Sequence, residues 1–362
     1  MGKETSISYC DSTASPIVGC DGCPLWTESM PEDKKACYAA ALVKRYAGLP
    51  GWPKSFGEPI YKPHVMEQAL RWKDLTGTKR PDKPWLDGMP RVIFLNDMSD
   101  GFTPSAPQLP PTAIGGIDWM SRHWMTDWLS KMGKSPHIWL LLTKQGKRMR
   151  MFFDEFECPS NVWTGVSVID NAMAQRNLPE LMATGAKTKW ISYEPARDLV
   201  NLTPFIGHNA YRCKCGWHET EREMTMSGHD PKTQSPKQAL CAKCGKEASV
   251  HLAASWVVIG GESRQGKCEP HPFDVTWMRR TIQGCREAAV PCFSKQLGSH
   301  VIDRNDAGFE GDQGQWPAGT EVRPTDDNGY QGAPVRVMLK DSHGGDWNAW
   351  PEDLKIRQMP KP

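Results

Sequence analysis

The chain of 362 residues and 40.6 kDa carries a formal net charge of +2, with 39% hydrophobic and 24% charged residues, so it can bury a sizeable core and lacks the broad basic field of a non-specific nucleic-acid binder. No apolar run approaches a bilayer-spanning length and the first residues lack a basic-then-apolar leader, so a cytoplasmic protein without membrane contact is expected. Twelve cysteines in a reducing compartment point to metal rather than disulfides.

In chain order, Ile7–Tyr9 reads as a first buried strand. A long loop with Gly19-Cys20-Asp21-Gly22-Cys23 follows it, then Cys37 and Tyr38 at the start of a helix over Cys37–Tyr46. Residues 50–90, rich in Pro, Gly, Trp and Lys, read as an ordered excursion. Apolar runs then recur at Val92–Leu95, Ile138–Leu142, Val162–Val168, Trp190–Tyr193, Trp256–Ile259 and Pro291–Phe293. Helical amphipathicity marks Trp119–Lys131, Arg148–Phe156, Ala172–Met182 and Val275–Ala289. Beyond His300 the chain is a Gly-, Asp- and Pro-rich arm closed by a short strand, Val335–Leu339.

Alternating strands and helices predict an α/β fold with a parallel sheet. Six or more such units in one domain favour a partial TIM-like (β/α)6 barrel, with an open doubly wound sheet as the alternative. The expected layout is residues 1–205 and 253–300 as two parts of one barrel, 206–252 as a small zinc-ribbon insert and 301–362 as an arm. Either sheet gathers the residues after each strand at one edge.

Three cysteines, Cys20, Cys23 and Cys37, leave one corner of a [4Fe-4S] cluster without a protein thiolate. S-adenosylmethionine chelates such a corner through its amino and carboxylate groups, and one electron into its sulfonium yields a carbon radical. A zinc site completed by Cys10 is the competing assignment. In the insert, Cys213, Cys215, Cys241 and Cys244 form two knuckles, each with a glycine after its second cysteine, the spacing of a four-thiolate zinc ribbon. His218 is a substitute ligand of low rank, and the insert either staples a loop or touches nucleic acid. Cys158, Cys268, Cys285 and Cys292 read as small core residues.

The segments GC…CYA (Gly19 to Ala39), IFLNDMSDGF (Ile93–Phe102), LLTKQGKRMR (Leu141–Arg150), NVWTGVSVIDN (Asn161–Asn171), WISYEPARDLVNL (Trp190–Leu202), WVVIGGES (Trp256–Ser263) and AVPCFSKQLG (Ala289–Gly298) resemble, in the same order, a family of phage-encoded proteins. That family is similar to radical S-adenosylmethionine enzymes with a partial TIM barrel, and some relatives work in thymine hypermodification of phage DNA. The resemblance covers residues 7–298 and departs from the superfamily's C-x3-C-x2-C spacing, with two residues before the middle cysteine and thirteen after it.

The resemblance implies a 5′-deoxyadenosyl radical enzyme acting on a nucleobase adduct, such as an isomerisation of aminoacylated thymidine, with an external electron donor. Tyr38, Asn96, Ser99, Asp100, Lys144, Ser167 and Glu194 are the expected cofactor-binding residues. Asn96, Ser99 and Asp100 offer acceptors to an ammonium or simply cap a helix; Lys144 meets a carboxylate or a phosphate, or starts a solvated helix. Ser167 and Glu194 suit ribose hydroxyls. Glu262, after paired glycines, and Lys295, at the last strand's end, are the candidate catalytic residues; Glu262 suits substrate contact or acid/base work. Two other classes remain open: a non-catalytic zinc-dependent nucleic-acid-binding protein, and a barrel hydrolase or transferase with structural cysteines.

Overall fold

The computed structural model describes residues 3–103, 119–207, 210–212, 218–220, 226–230, 235–239, 243–246, 249–251, 253–265, 268–304, 314–325 and 334–362. Seven parallel strands form its main sheet: β1 (Ser12–Ala14), β2 (Val92–Leu95), β3 (Ile138–Thr143), β4 (Val162–Ser167), β5 (Lys189–Tyr193), β6 (Trp256–Gly260) and β7 (Cys292–Gln296). They lie side by side in the order in which the chain makes them, curled into a half-barrel. A doubly wound sheet must reverse its strand order at a switch point, so this monotonic order sets the open-sheet alternative aside. The mixed α/β half-barrel is compatible with a partial TIM-like fold, with seven strands rather than six units.

Among the described residues there are six α-helices: α1 (Tyr38–Tyr46), which packs in a small cluster beside the cysteine loop, and α2 (Pro63–Leu70), α3 (Trp119–Gly133), α4 (Gly146–Phe153), α5 (Asn171–Met182) and α6 (Val275–Glu287), which cover the sheet. Asp170 and Asp274 start α5 and α6 by accepting from Met173 N and Thr276 N, which satisfies first-turn donors. Ile93, Leu141, Val166, Ile191 and Val257 face Trp128, Phe152, Leu178 and Met278 in the helix-covered core. The alternate residues Phe94, Leu140, Trp163, Trp190, Val258 and Phe293 form the concave core. This period of two on each strand is what sorts the apolar runs into two separate cores.

The first strand departs from expectation. Among the described residues Ile7–Tyr9 pairs with no strand; instead Tyr9 plugs the concave face, edge-on to Phe94, Trp190, Trp256 and Phe293 at 5.8–6.0 Å. The true first strand is the polar, buried Ser12–Ala14, which pairs in parallel with Ile93–Leu95. At the other edge the C-terminal tail seals β7: Ser294 N donates to Ile356 O at 2.7 Å and Gln358 N to Cys292 O at 2.9 Å. Arg357 lies between the indoles of Trp347 and Trp85, 4.1 and 4.6 Å away.

Phe273–Asp274, ahead of α6, joins the strands Val301–Asp303, Val335–Met338 and Glu321–Pro324 from beyond β7 in a separate four-stranded sheet, so the arm closes on the body through the expected strand. The insert between β5 and β6 contains a three-stranded sheet and a hairpin. Cys213, Cys215 and Cys241 lie outside the described residues, and Cys244 sits in an exposed turn.

Candidate functional site

The loop after β1 brings Cys20 to the strand ends, and Cys37 caps the N-terminus of α1. The three thiols share one neighbourhood: Cys20 senses the charge of Cys23 and of Cys37, and Cys37 that of Cys23. Their surroundings are apolar, with Val18, Trp26, Ala39, Val43, Phe56 and Met98 around Cys20 and Cys37. Burial pushes the Cys20 thiol up, Asp100 raises it further, and Thr103 opposes them. Burial also raises Cys37, against the backbone N–H groups of Ala40 and Ala39 and the charge of Lys144.

Neighbouring thiols set among apolar side chains ionise together only when a cation compensates them, a donor set of the kind a metal cluster takes. Among the described residues, no three His, Cys, Asp or Glu side chains converge closely enough to hold a single metal ion. A four-iron cube spreads its thiolates over separate corners, which demands a wider triangle than one ion does.

The loop after β2 grips this cysteine loop. Ser99 Oγ donates to Gly19 O at 2.5 Å, Met98 O accepts from Gly19 N at 3.2 Å, and Asn96 Oδ1 accepts from Ile17 N at 3.3 Å. Asn96 adopts φ +61°, an uncommon backbone for a non-glycine residue. Asp100 accepts from Thr143 Oγ1 at 2.7 Å, Lys144 N at 2.8 Å and Phe102 N at 2.9 Å, tying β2's end to β3's. Asn96 and Asp100 thus accept from the chain's own donors, and Ser99 spends its hydroxyl hydrogen on Gly19 O. Tyr38 donates through its hydroxyl to Asp97 O, and Ser15 Oγ donates to the Asp97 carboxylate. Desolvation by burial holds Asp97 above the usual carboxylate range, with Ser15 opposing.

Above the aromatic floor lies a polar layer. Lys295 Nζ meets Glu194 Oε1 at 3.0 Å, with 26% and 11% of the two side chains exposed. Ser192 Oγ donates to Glu194 Oε2 at 3.2 Å. The sequence suggested ribose contact for Glu194 and chemistry for Lys295; the fold joins them across β6, which runs between their strands. Ser167 is buried at the end of β4, on the same edge.

Glu262 is drawn into a different contact. Arg197 holds its carboxylate in a fork, with N–O distances of 3.1 and 3.2 Å, and His271 Nδ1 lies 2.8 Å from Oε2. This bidentate pair fixes the loop after β6 rather than offering a free carboxylate. On that loop Cys268, assigned from sequence to the core, joins Leu25 and Ala36 in a buried cluster against which Cys23 and Cys37 pack.

Sequence reasoning missed Tyr9, Asp97 and Arg197. Tyr9 and Arg197 act through long-range return of the chain, which no local spacing signals; Asp97 stood inside a motif whose other members attracted the assignment.

No curated protein and no solved structure matches the chain. The family described as protein of unknown function (DUF5131) matches residues 4–337. That span is most of the 362 residues, and the chain belongs to this family.

Proposed function

We propose that the chain is a radical S-adenosylmethionine enzyme that holds a [4Fe-4S] cluster on Cys20, Cys23 and Cys37 and acts on a nucleobase adduct, such as an aminoacylated thymine in phage DNA. The observation that carries this reading is the gathering of three neighbouring thiols, Cys20 and Cys37 among apolar side chains, at the strand ends of a parallel half-barrel. When bound, the cluster and S-adenosylmethionine supply one-electron cleavage of the sulfonium and so a carbon radical.

The chain's own residues bind, orient and exclude water. Lys144, whose charge Cys37 senses, would meet the cofactor carboxylate, and Ser167 a ribose hydroxyl. The loop 96–103 fixes the cysteines by hydrogen bonds to Gly19 and Ile17. The aromatic floor of Phe94, Trp190, Trp256 and Phe293 keeps water from the concave face. We assign Glu194 and Lys295 to the substrate and Glu262 to bracing the loop that carries Cys268. Zinc on Cys213, Cys215, Cys241 and Cys244 would staple the insert. An external donor supplies the electron, and exposed Lys147 would meet the nucleic-acid backbone.

The test is anaerobic incubation of iron-loaded protein with S-adenosylmethionine and dithionite. Formation of 5′-deoxyadenosine, abolished by Cys37→Ala, supports the reading; its absence from iron-loaded wild type contradicts it.

A further inference from the structure

The last helix and the last strand of the half-barrel bring two thiols together at the start of β7, the edge of the sheet away from the cysteine loop. Helix α6 ends in a Schellman turn: Ala289, at φ +55°, donates from N to Arg286 O at 3.1 Å, and Val290 N donates to Cys285 O at 2.8 Å. This turn sends the chain directly back into β7, whose first residue is Cys292, and the Cys285 and Cys292 thiols hydrogen-bond to each other. Gln358 of the tail clamps Cys292 from the other side. Its Oε1 accepts from Cys292 N at 3.2 Å, and its N donates to Cys292 O at 2.9 Å.

Cys285 and Cys292 are 1% and 2% exposed, yet both line a cavity of about 440 Å³. Ile282, Val290 and Met359 give it apolar walls, and Arg286 gives it a positive charge. The hydrogen bond with Cys285, then burial, hold the Cys292 thiol well above its usual titration range, which makes it a poor nucleophile for disulfide exchange. A metal ion reverses that balance, because a coordinating thiol loses its proton outright. Among the described residues no third His, Cys, Asp or Glu joins the pair, which leaves a tetrahedral zinc ion short of ligands. Thiolate and thioether sulfur are the soft donors that select copper(I), an ion satisfied by two or three of them.

We propose that Cys285, Cys292 and Met359 form a binding site for copper(I), separate from the iron–sulfur and zinc sites. Each thiol gives up its proton to solvent as its sulfur bonds the ion, and copper enters and stays as copper(I), so no electron changes hands. The ion and its two thiolates carry a single negative charge, which Arg286 offsets. Met359 follows Gln358, so the clamp that fixes Cys292 also delivers the thioether to the cavity wall. The site stands independently of the radical chemistry.

The experiment titrates full-length, zinc-loaded protein with copper(I) under anaerobic conditions against bicinchoninate, a coloured chelator that competes for the ion. The remaining cysteines are common to wild type and variants, so the difference in uptake isolates this site. Wild type holds about one copper(I) ion per chain more than Cys285→Ala or Cys292→Ala. The same loss appears when Cys285→Ala is added to Cys37→Ala, which excludes the N-terminal thiols as its source. Met359→Leu, which keeps both thiols, weakens the site about tenfold or more. Equal copper uptake by wild type and both thiol variants overturns the proposal. Should the alanine variants not fold, unchanged copper affinity in Met359→Leu overturns it.

Discussion

Gly260 lies bare beside the Glu194 carboxylate: a Cβ at this position would stand 2.9 Å from Glu194 Oε1 and 3.2 Å from Gln296 O. The missing side chain on β6 lets an ion pair bridge β5 and β7. Gly260→Ala should displace the Glu194 side chain, whose end is mobile enough to yield, while the backbone holds. The melting temperature should fall by roughly 1–4 °C as the Glu194–Lys295 pair is disturbed; calorimetry on the variant checks this.

Gly165 serves the floor in the same way, but its neighbour cannot yield. A Cβ there would lie 2.5 Å from two atoms of the Trp190 indole, which is locked by donation from Nε1 to Trp163 O at 3.1 Å. Gly165→Ala should therefore destabilise the fold by roughly 1–3 kcal/mol or more, read from the urea unfolding midpoint.

Asp100 joins the cysteine loop to the third strand through Thr143, Lys144 N and Phe102 N. Asp100→Ala leaves these donors buried and unpaired, at a cost of roughly 2–4 kcal/mol. Iron retained after anaerobic desalting should drop along with stability. Full iron retention in this variant would separate the bracket from the metal site.

His137 is fully buried at the foot of β3, and among the described residues neither ring nitrogen has a hydrogen-bond partner of good geometry. Burial, then the charge of Arg91, hold its pKa below 6.5. The unfolded chain then binds more protons than the folded one in mild acid. Stability from this group is complete above about pH 6.5 and is lost as pH falls toward its folded value, with a slope approaching about 1.4 kcal/mol per pH unit. His137→Phe should flatten that part of the stability profile in chemical denaturation from pH 7.5 to 5.

The strands β2 to β6 were legible because each is a mostly apolar run buried on both faces, and β7 through its apolar start, Cys292 and Phe293. β1 was not, since Ser-Thr-Ala carries no apolar signal and is buried only because the Lys3–Cys10 segment and β2 cover it. Ile7–Tyr9 looked like a strand because a plug of the concave face needs the same apolar residues. The cysteine triad was visible as spacing. The Glu194–Lys295 pair was not, because it depends on two strands separated by about a hundred residues flanking a glycine. Glu262 looked like a free carboxylate because neither Arg197 nor His271 announces a partner in sequence.

The central claim is that Cys20, Cys23 and Cys37 together hold an iron–sulfur cube. Iron and sulfide counts with Mössbauer spectra of anaerobically purified wild type and of Cys20→Ala, Cys23→Ala and Cys37→Ala test it most directly. The account predicts roughly four irons per chain in wild type and loss of the cluster spectrum in each variant. Zinc without iron in wild type, or a cluster that survives all three substitutions, would contradict it.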